Sequence, residues 1–187
     1  MLLKNNHEFK WLGGTLDDAA GEVFDKVARV LNLPYPGGPE IEKAARDANP
    51  DAAKKGLPLP MAADRSFNFS FSGLKTAVVN LVQKEKPDVS QVAYEFQERI
   101  CQSLIKKTFR AVEKYNVKTV VVGGGVAANR RLRELMEESG RKQNVEIFFP
   151  ERKYSIDNGA MIAVAAFYQK SYVDPTKLQA DPSLYFV

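Results

Sequence analysis

Thr119-Val120-Val121-Val122-Gly123-Gly124-Gly125-Val126-Ala127-Ala128-Asn129-Arg130-Arg131-Leu132-Arg133 is the stretch on which the fold turns. Four β-branched residues predict a strand over 119–122, the glycines predict a tight turn, and helical spacing of apolar positions predicts a helix over 128–139. A second short apolar run predicts another strand over 145–149. Strand, turn, helix and strand in this order make an α/β lobe. Glycines at the end of a strand let backbone approach a ligand, and the helix that follows points unsatisfied N–H groups at it, so a phosphate or nucleotide fits there. Gly123, Gly125 and Ala128 also match the formal dinucleotide pattern GxGxxA, with Glu146 downstream in the place of a ribose-binding acid. Only 41 residues follow Glu146, too few for the further strands of such a fold. No Lys-Ser or Lys-Thr follows the glycines, which disfavours an ATP-cleaving loop.

Upstream, the spacing predicts one long helix over 89–115. Cys101 lies beside Ile100, Leu104 and Ile105 in it and reads as a core residue rather than a nucleophile. Phe67, Phe69 and Phe71 alternate with Asn68, Ser70 and Ser72, the period of a half-buried strand, and 73–84 returns to helical spacing. Thr15-Leu16-Asp17-Asp18 has the form of a capping box. Ala20, Val23, Phe24, Val27 and Val30 behind it predict a helix to about Leu31. Pro34, Pro36, Gly37, Gly38 and Pro39 predict a rigid turn, followed by a second helix over 40–48 and a loop over 49–65. Downstream, Asp157 is a candidate N-cap for an apolar helix over 159–169.

The chain has 187 residues, of which 44% are hydrophobic and 27% charged, the make-up of a globular domain large enough to hold a core without disulfides. Its one cysteine excludes an internal disulfide and suits a reducing compartment. Its one histidine, His7, leaves almost no support for a Ser/His/Asp triad, a Cys/His pair or a self-contained HExxH zinc site. The longest apolar run, 160–167, is too short to cross a bilayer, and the first residues lack the apolar core of a signal peptide. A cytoplasmic protein without a membrane partner is the expectation.

The net charge of +4 hides an asymmetry: residues 99–142 hold eleven basic and four acidic side chains, and residues 15–51 hold four basic and eight acidic ones. The basic part could face a polyanion such as RNA, or be solvated helix surface. Asp157-Asn158-Gly159 likewise leaves two readings open, a carboxylate that binds metal or a helix cap. The Pro36-Gly37-Gly38-Pro39 turn reads as structural.

Four segments in register, TLDDAAGEVFDKVARVLNLPYPGGPEIEK, FNFSFSGLKTAV, GGGVAANRRLR and IDNGAMIA, closely resemble the universal tRNA threonylcarbamoyladenosine transferase family, formerly labelled glycoprotease or O-sialoglycoprotein endopeptidase. FSFSGLKT is similar to its bacterial branch. The resemblance implies a helix-rich α/β chain corresponding to the C-terminal lobe of the actin, sugar kinase and heat-shock ATPase fold. It implies an enzyme that moves a threonylcarbamoyl group from threonylcarbamoyl-AMP to N6 of the adenosine beside the tRNA anticodon. An N-terminal lobe, with a metal-binding His pair and a phosphate loop, precedes this region in the family. The expectation is therefore a single lobe over 1–187 that is inactive alone, a proteolytic core or the product of a split gene, with 1–12 matching the interior of a hairpin.

Carried over by motif, Asp25, Gly38 and Asn129 resemble nucleotide-substrate positions, with Glu42 where the family often has Asp. Asp157 resembles the third protein ligand of a divalent metal, iron or zinc, shared with the other lobe. Arg130, Arg131 and Arg133, next to Asn129, are candidate tRNA contacts. Expected partners are tRNA, threonylcarbamoyl-AMP, a paralogous subunit and a small ATPase. Ser155-Ile156 stands where the family usually has Cys-Thr, a change that bears on local packing. Two other readings remain at this point: a non-catalytic nucleotide-binding paralogue that partners the enzyme, and a dinucleotide-binding enzyme.

Overall fold

The computed structural model describes residues 1–4, 8–50, 56–169 and 172–180; His7 lies outside them. Strands β1 (Leu2–Leu3) and β2 (Phe9–Lys10) form an antiparallel hairpin. Helices α1 (Ala20–Val30), α2 (Gly37–Arg46), α3 (Ser72–Lys84) and α4 (Val89–Tyr115) follow. Then come β3 (Thr119–Val121), a 3-10 turn (Gly125–Ala128), α5 (Arg130–Gln143), β4 (Glu146–Phe148) and α6 (Gly159–Gln169). The chain is mixed α/β and helix-rich.

The 27-residue helix α4 is the spine, about 40 Å long at 1.5 Å per residue. Asp88 caps it, accepting from the Ser90 and Gln91 N–H groups, and Asn116 closes it in the left-handed conformation at φ 50°. Its first half packs Val92, Ala93, Phe96 and Ile100 against Val23, Phe24 and Val27 of α1, Ile41 of α2 and Leu74 and Val78 of α3. Phe24 and Phe96 meet edge to face at 5.1 Å, a contact worth about 0.5–1.5 kcal/mol beyond the area it buries. The second half packs Cys101, Phe109 and Val112 against Leu132 and Met136 of α5 and Val145 ahead of β4. Val126 and Leu104 touch both clusters, so the two are continuous.

Strands β3 and β4 pair in parallel, with Thr119 opposite Glu146 and Val121 opposite Phe148. Glu146 therefore lies at the start of the pair, at the opposite end from Gly123. That register removes it from the place of a ribose-binding acid, and the dinucleotide reading of the glycine turn fails on geometry. Gly124, at φ +85°, is the glycine whose backbone demands the residue type.

Several local expectations are corrected. Thr15-Asp18 caps no helix: Thr15 Oγ1 donates to the Asp18 carbonyl at 2.9 Å, and α1 begins at Ala20 without a side-chain cap. The two aspartates have stronger distant partners. Asp17 accepts from the Phe71 N–H at 2.8 Å at the foot of α3, and Asp18 binds Lys26 at 2.5 Å and Lys75 at 3.0 Å. The turn predicted over 34–39 already contains the first turn of α2, which starts at Gly37 after a cis Tyr35-Pro36 bond. Phe67, Phe69 and Phe71 form no strand, because their sole ladder contact is a bridge from Phe69 to Thr15 and α3 begins at Ser72. Helix α5 starts at Arg130, two residues later than predicted, since Asn129 takes the N-cap.

Among the described residues no helix is long and apolar enough to cross a membrane. Helix α6 buries none of its side chains: Ile162 is 67% exposed and Phe167 75%.

Candidate functional site

Two helix N-termini meet around α1, and side chains distant in sequence tie them together. Asp25, in the middle of α1, accepts from the Gly37 N–H at 2.8 Å and so caps the start of α2. A Cβ on Gly37 would stand 2.6 Å from Asp25 Cα and 2.8 Å from the Phe24 carbonyl oxygen, so glycine is what allows α2 to sit this close to α1. Gly38, beside it, has nothing within 4 Å of where its Cβ would be. One turn further along α2, Glu42 accepts from the Arg130 N–H at 3.1 Å with one oxygen and from Arg46 at 2.7 Å with the other. That bond reaches the first residue of α5.

Asn129 completes the junction. Its Oδ1 accepts from the Leu132 N–H at 2.9 Å and its Nδ2 donates to Gln97 Oε1 at 2.9 Å, and the residue is buried. Asp25, Gly38, Glu42 and Asn129, 104 positions apart at the extremes, thus form one connected run across α1, α2 and the start of α5. Chemically it offers carboxylates with unused acceptor capacity, an unobstructed glycine backbone and the positive ends of two helix dipoles, which suits sugar hydroxyls and a phosphate. The N–H groups of α5 that were expected to point at a ligand are in part satisfied within the chain, at Arg130 by Glu42 and at Leu132 by Asn129.

The candidate RNA-facing arginines have partners of their own. Arg130 pairs with Glu134 at 2.8 Å and stays two-thirds exposed. Arg131 binds Glu98 through both Nε and a terminal nitrogen. Arg133 donates to the carbonyls of Ala127 at 2.6 Å and Pro150 at 2.8 Å and lies over the Phe149 ring at 4.6 Å, holding the 3-10 turn to the end of β4.

Asp157 is not drawn into this group. It is exposed and makes no hydrogen bond or ion pair among the described residues. Nor is it the cap of α6: Asn158 Oδ1 accepts from the Met161 N–H at 3.0 Å, three residues on, and corrects that expectation. No three His, Cys, Asp or Glu side chains cluster to hold a metal among the described residues. One carboxylate does not hold a transition metal, so these residues do not by themselves fit the iron or zinc site that the resemblance implies. Ser155, in place of the usual cysteine of the family, is buried with its hydroxyl unpartnered.

Cys101 is fully buried, and burial first, with the Glu98 charge beside it, pushes its thiol up to about 12. It is a core residue, as its neighbours in sequence predict. A cavity of about 640 Å³ lies between the hairpin, α4 and β3 and is lined mainly by apolar groups such as Leu104, Val112 and Val120. Lys107, in its wall, is bound to Asp64 at 2.6 Å. Thr108, Thr119 and the backbone of the Gly123-Gly124-Gly125 turn add polar groups to its wall.

Sequence reasoning missed Gln97 and Gly37. Gln97 occupies an apolar stripe with Ala93, Ile100 and Leu104, and that polar intrusion was the available signal. For Gly37 the signal was the doubled glycine, of which one packs and the other stays open.

The family model for tRNA N6-adenosine threonylcarbamoyltransferase matches residues 1–164. Proteins of that name resemble the chain throughout: the one from Thermosipho africanus is 47% identical over 98% of this chain and 57% of its own length. Those from Dictyoglomus turgidum and Kosmotoga olearia are each 44% identical, over 98% and 100% of this chain and 56% and 57% of theirs. The chain spans little more than half the length of these curated relatives. Among solved structures, the crystal structure of T. kodakarensis HypF superposes with a TM-score of 0.61 at 18% identity, over 80% of this chain and 20% of that one, a likeness of fold alone. On the reach of the family model and the identity of these relatives, the chain belongs to the tRNA N6-adenosine threonylcarbamoyltransferase family.

Proposed function

We propose that the chain is the C-terminal, nucleotide-holding lobe of an enzyme that transfers threonylcarbamoyl from threonylcarbamoyl-AMP to N6 of the adenosine beside the tRNA anticodon. The observation that carries the reading is the connected run of Asp25, Gly38, Glu42 and Asn129 in a chain of this family. In the reaction the adenosine N6 amine attacks the carbamoyl carbon, a C–N bond forms, the C–O bond to phosphate breaks, the amine loses a proton and AMP leaves. Asp25 and Glu42 accept from the ribose hydroxyls with lone pairs left over by Gly37 and Arg130, and the open backbone of Gly38 admits the nucleotide. Of the three arginines, Arg130 keeps an exposed guanidinium for RNA; Arg131 and Arg133 would first have to release Glu98 and two carbonyls.

The remaining lobe is supplied from outside residues 1–187, in an architecture of the actin and sugar-kinase kind. Relatives nearly twice as long and the uncovered apolar surface of α6 support this. Asp157 contributes one ligand to an iron or zinc ion whose other ligands that lobe holds. A paralogous subunit and a small ATPase complete the assembly in the cytoplasm. The test is transfer of labelled threonylcarbamoyl to unmodified tRNA, with this chain supplied together with the N-terminal portion of the Thermosipho relative. Transfer by the pair and none by the chain alone is expected; turnover by the isolated chain contradicts the two-lobe reading.

A further inference from the structure

The positive charge of the chain is distributed differently from what the sequence suggests. On α5, Arg130 and Arg131 face carboxylates, so their charges are compensated. On α4, Lys106, Arg110 and Lys114 recur every four residues along one face, at about 6 Å of rise per step. Among the described residues none of the three pairs with a carboxylate: Lys106 donates to the Ala62 carbonyl at 2.8 Å and Arg110 to the carbonyls of Asp64 and Ser66. Those bonds orient the side chains and leave their charge whole. Of the acids on and beside this face, Asp64 is bound to Lys107, and Glu113 is a single charge against those of Lys106, Arg110 and Lys114.

Aromatic rings are set among these cations. Phe67 and Tyr115 are half-buried with centroids 6.1 Å apart. Lys114 lies over both, at 5.4 and 5.6 Å, Arg110 over Phe67 at 5.3 Å, and Lys10 of the hairpin over Tyr115 at 5.6 Å. Three separate segments therefore converge on one cationic, ring-lined surface. A row of uncompensated cations interleaved with rings fits a phosphodiester chain whose bases can stack, more than an acidic protein, which offers carboxylates and nothing for the rings.

We propose that Lys10, Lys106, Arg110 and Lys114, with Phe67 and Tyr115, form the surface on which this chain holds the tRNA backbone. The assignment rests on the proposed tRNA substrate and moves the main RNA contact from α5 to α4. Lys10 and Lys114 hold no backbone carbonyl, so replacing them leaves the fold in place; unchanged melting of the variants checks this.

The experiment measures binding of an unmodified tRNA transcript to the 187-residue chain across a salt series. Lys10→Gln with Lys114→Gln should reduce the slope of log K against log salt by about 1.4 to 1.8, two phosphate contacts. The Lys10→Arg, Lys114→Arg pair should retain the slope, and Lys142→Gln, whose charge Glu138 already compensates at 2.6 Å, should leave it near that of the unaltered chain. An unchanged slope in the glutamine variant overturns the surface, as does poly-glutamate competing for it while tRNA does not bind. AMP is titrated in parallel: AMP binding without any tRNA binding overturns this surface alone, while loss of both overturns the proposed function as well.

Discussion

Glu42 Oε2 accepts a hydrogen bond from the Arg130 N–H at 3.1 Å, across 88 residues of sequence, and fastens the middle of α2 to the first turn of α5. With Asn129 capping the same turn from below and Asp25 capping α2, three side chains hold two positive helix ends side by side. The groups that would receive a nucleotide are thus the same groups that assemble the junction. Substitutions here mix folding and binding unless they are chosen to part the two.

Gly37 and Gly38 part them. Gly37→Ala places a methyl 2.6 Å from backbone of α1 and should cost about 1–3 kcal/mol, read as a melting temperature lower by roughly 2–4 °C per kcal/mol at this size. Gly38→Ala meets nothing within 4 Å and should melt like the parent or slightly above it, while AMP affinity falls. Equal melting losses in both variants would refute the packing account of Gly37.

Asp157 and Asn158 separate in the same way. Asn158→Ala removes the cap of α6 and should lower its helicity at a cost of about 1 kcal/mol. Asp157→Ala should leave circular dichroism unchanged and, in the assembled two-lobe protein, lower the bound metal measured by elemental analysis. Full metal content in that variant would remove Asp157 from the ligand set.

Cys101 should resist alkylation in the native chain at pH 8, because its thiol is buried and pushed up to about 12. Labelling followed by mass spectrometry should find modification only after denaturant is added. Rapid labelling of the folded chain would contradict the packing of α4 on α5.

Much of this architecture was legible because it is periodic. The 89–115 helix is found at its predicted limits, with the predicted cysteine in its core, since a long amphipathic pattern is backed by packing along its whole length. The Phe67, Phe69, Phe71 alternation misled because a strand also needs a partner, and Thr15 offers only one bridge. The capping box was misread because its acids have better partners elsewhere: Asp18 serves Lys26 and Lys75, and Asp17 serves Phe71, pairings that no local window contains. The site residues came from motif resemblance. What geometry adds is that four of them are contiguous and Asp157 stands apart.

Acid should weaken the chain in a defined window. Hydrogen bonds from Lys107 hold the Asp64 carboxyl below the usual carboxylate range, and those from Lys26 and Lys75 do the same for Asp18. A depressed native pKa contributes stability above the unfolded value, near 3.9, and loses it as pH falls through the native value. Melting temperature should therefore hold from neutrality to about pH 4 and drop below. Asp64→Asn should shrink the drop; an identical acid profile would show that this pair adds nothing.

The central claim, that the α1–α2–α5 junction is a nucleotide site, is tested most directly by calorimetric titration of the 187-residue chain with AMP, with NAD as comparator. The account predicts one AMP site, weaker by at least tenfold in Gly38→Ala and in Glu42→Ala, and no tighter binding of NAD. AMP affinity unchanged by both substitutions, or NAD bound in preference to AMP, would contradict it.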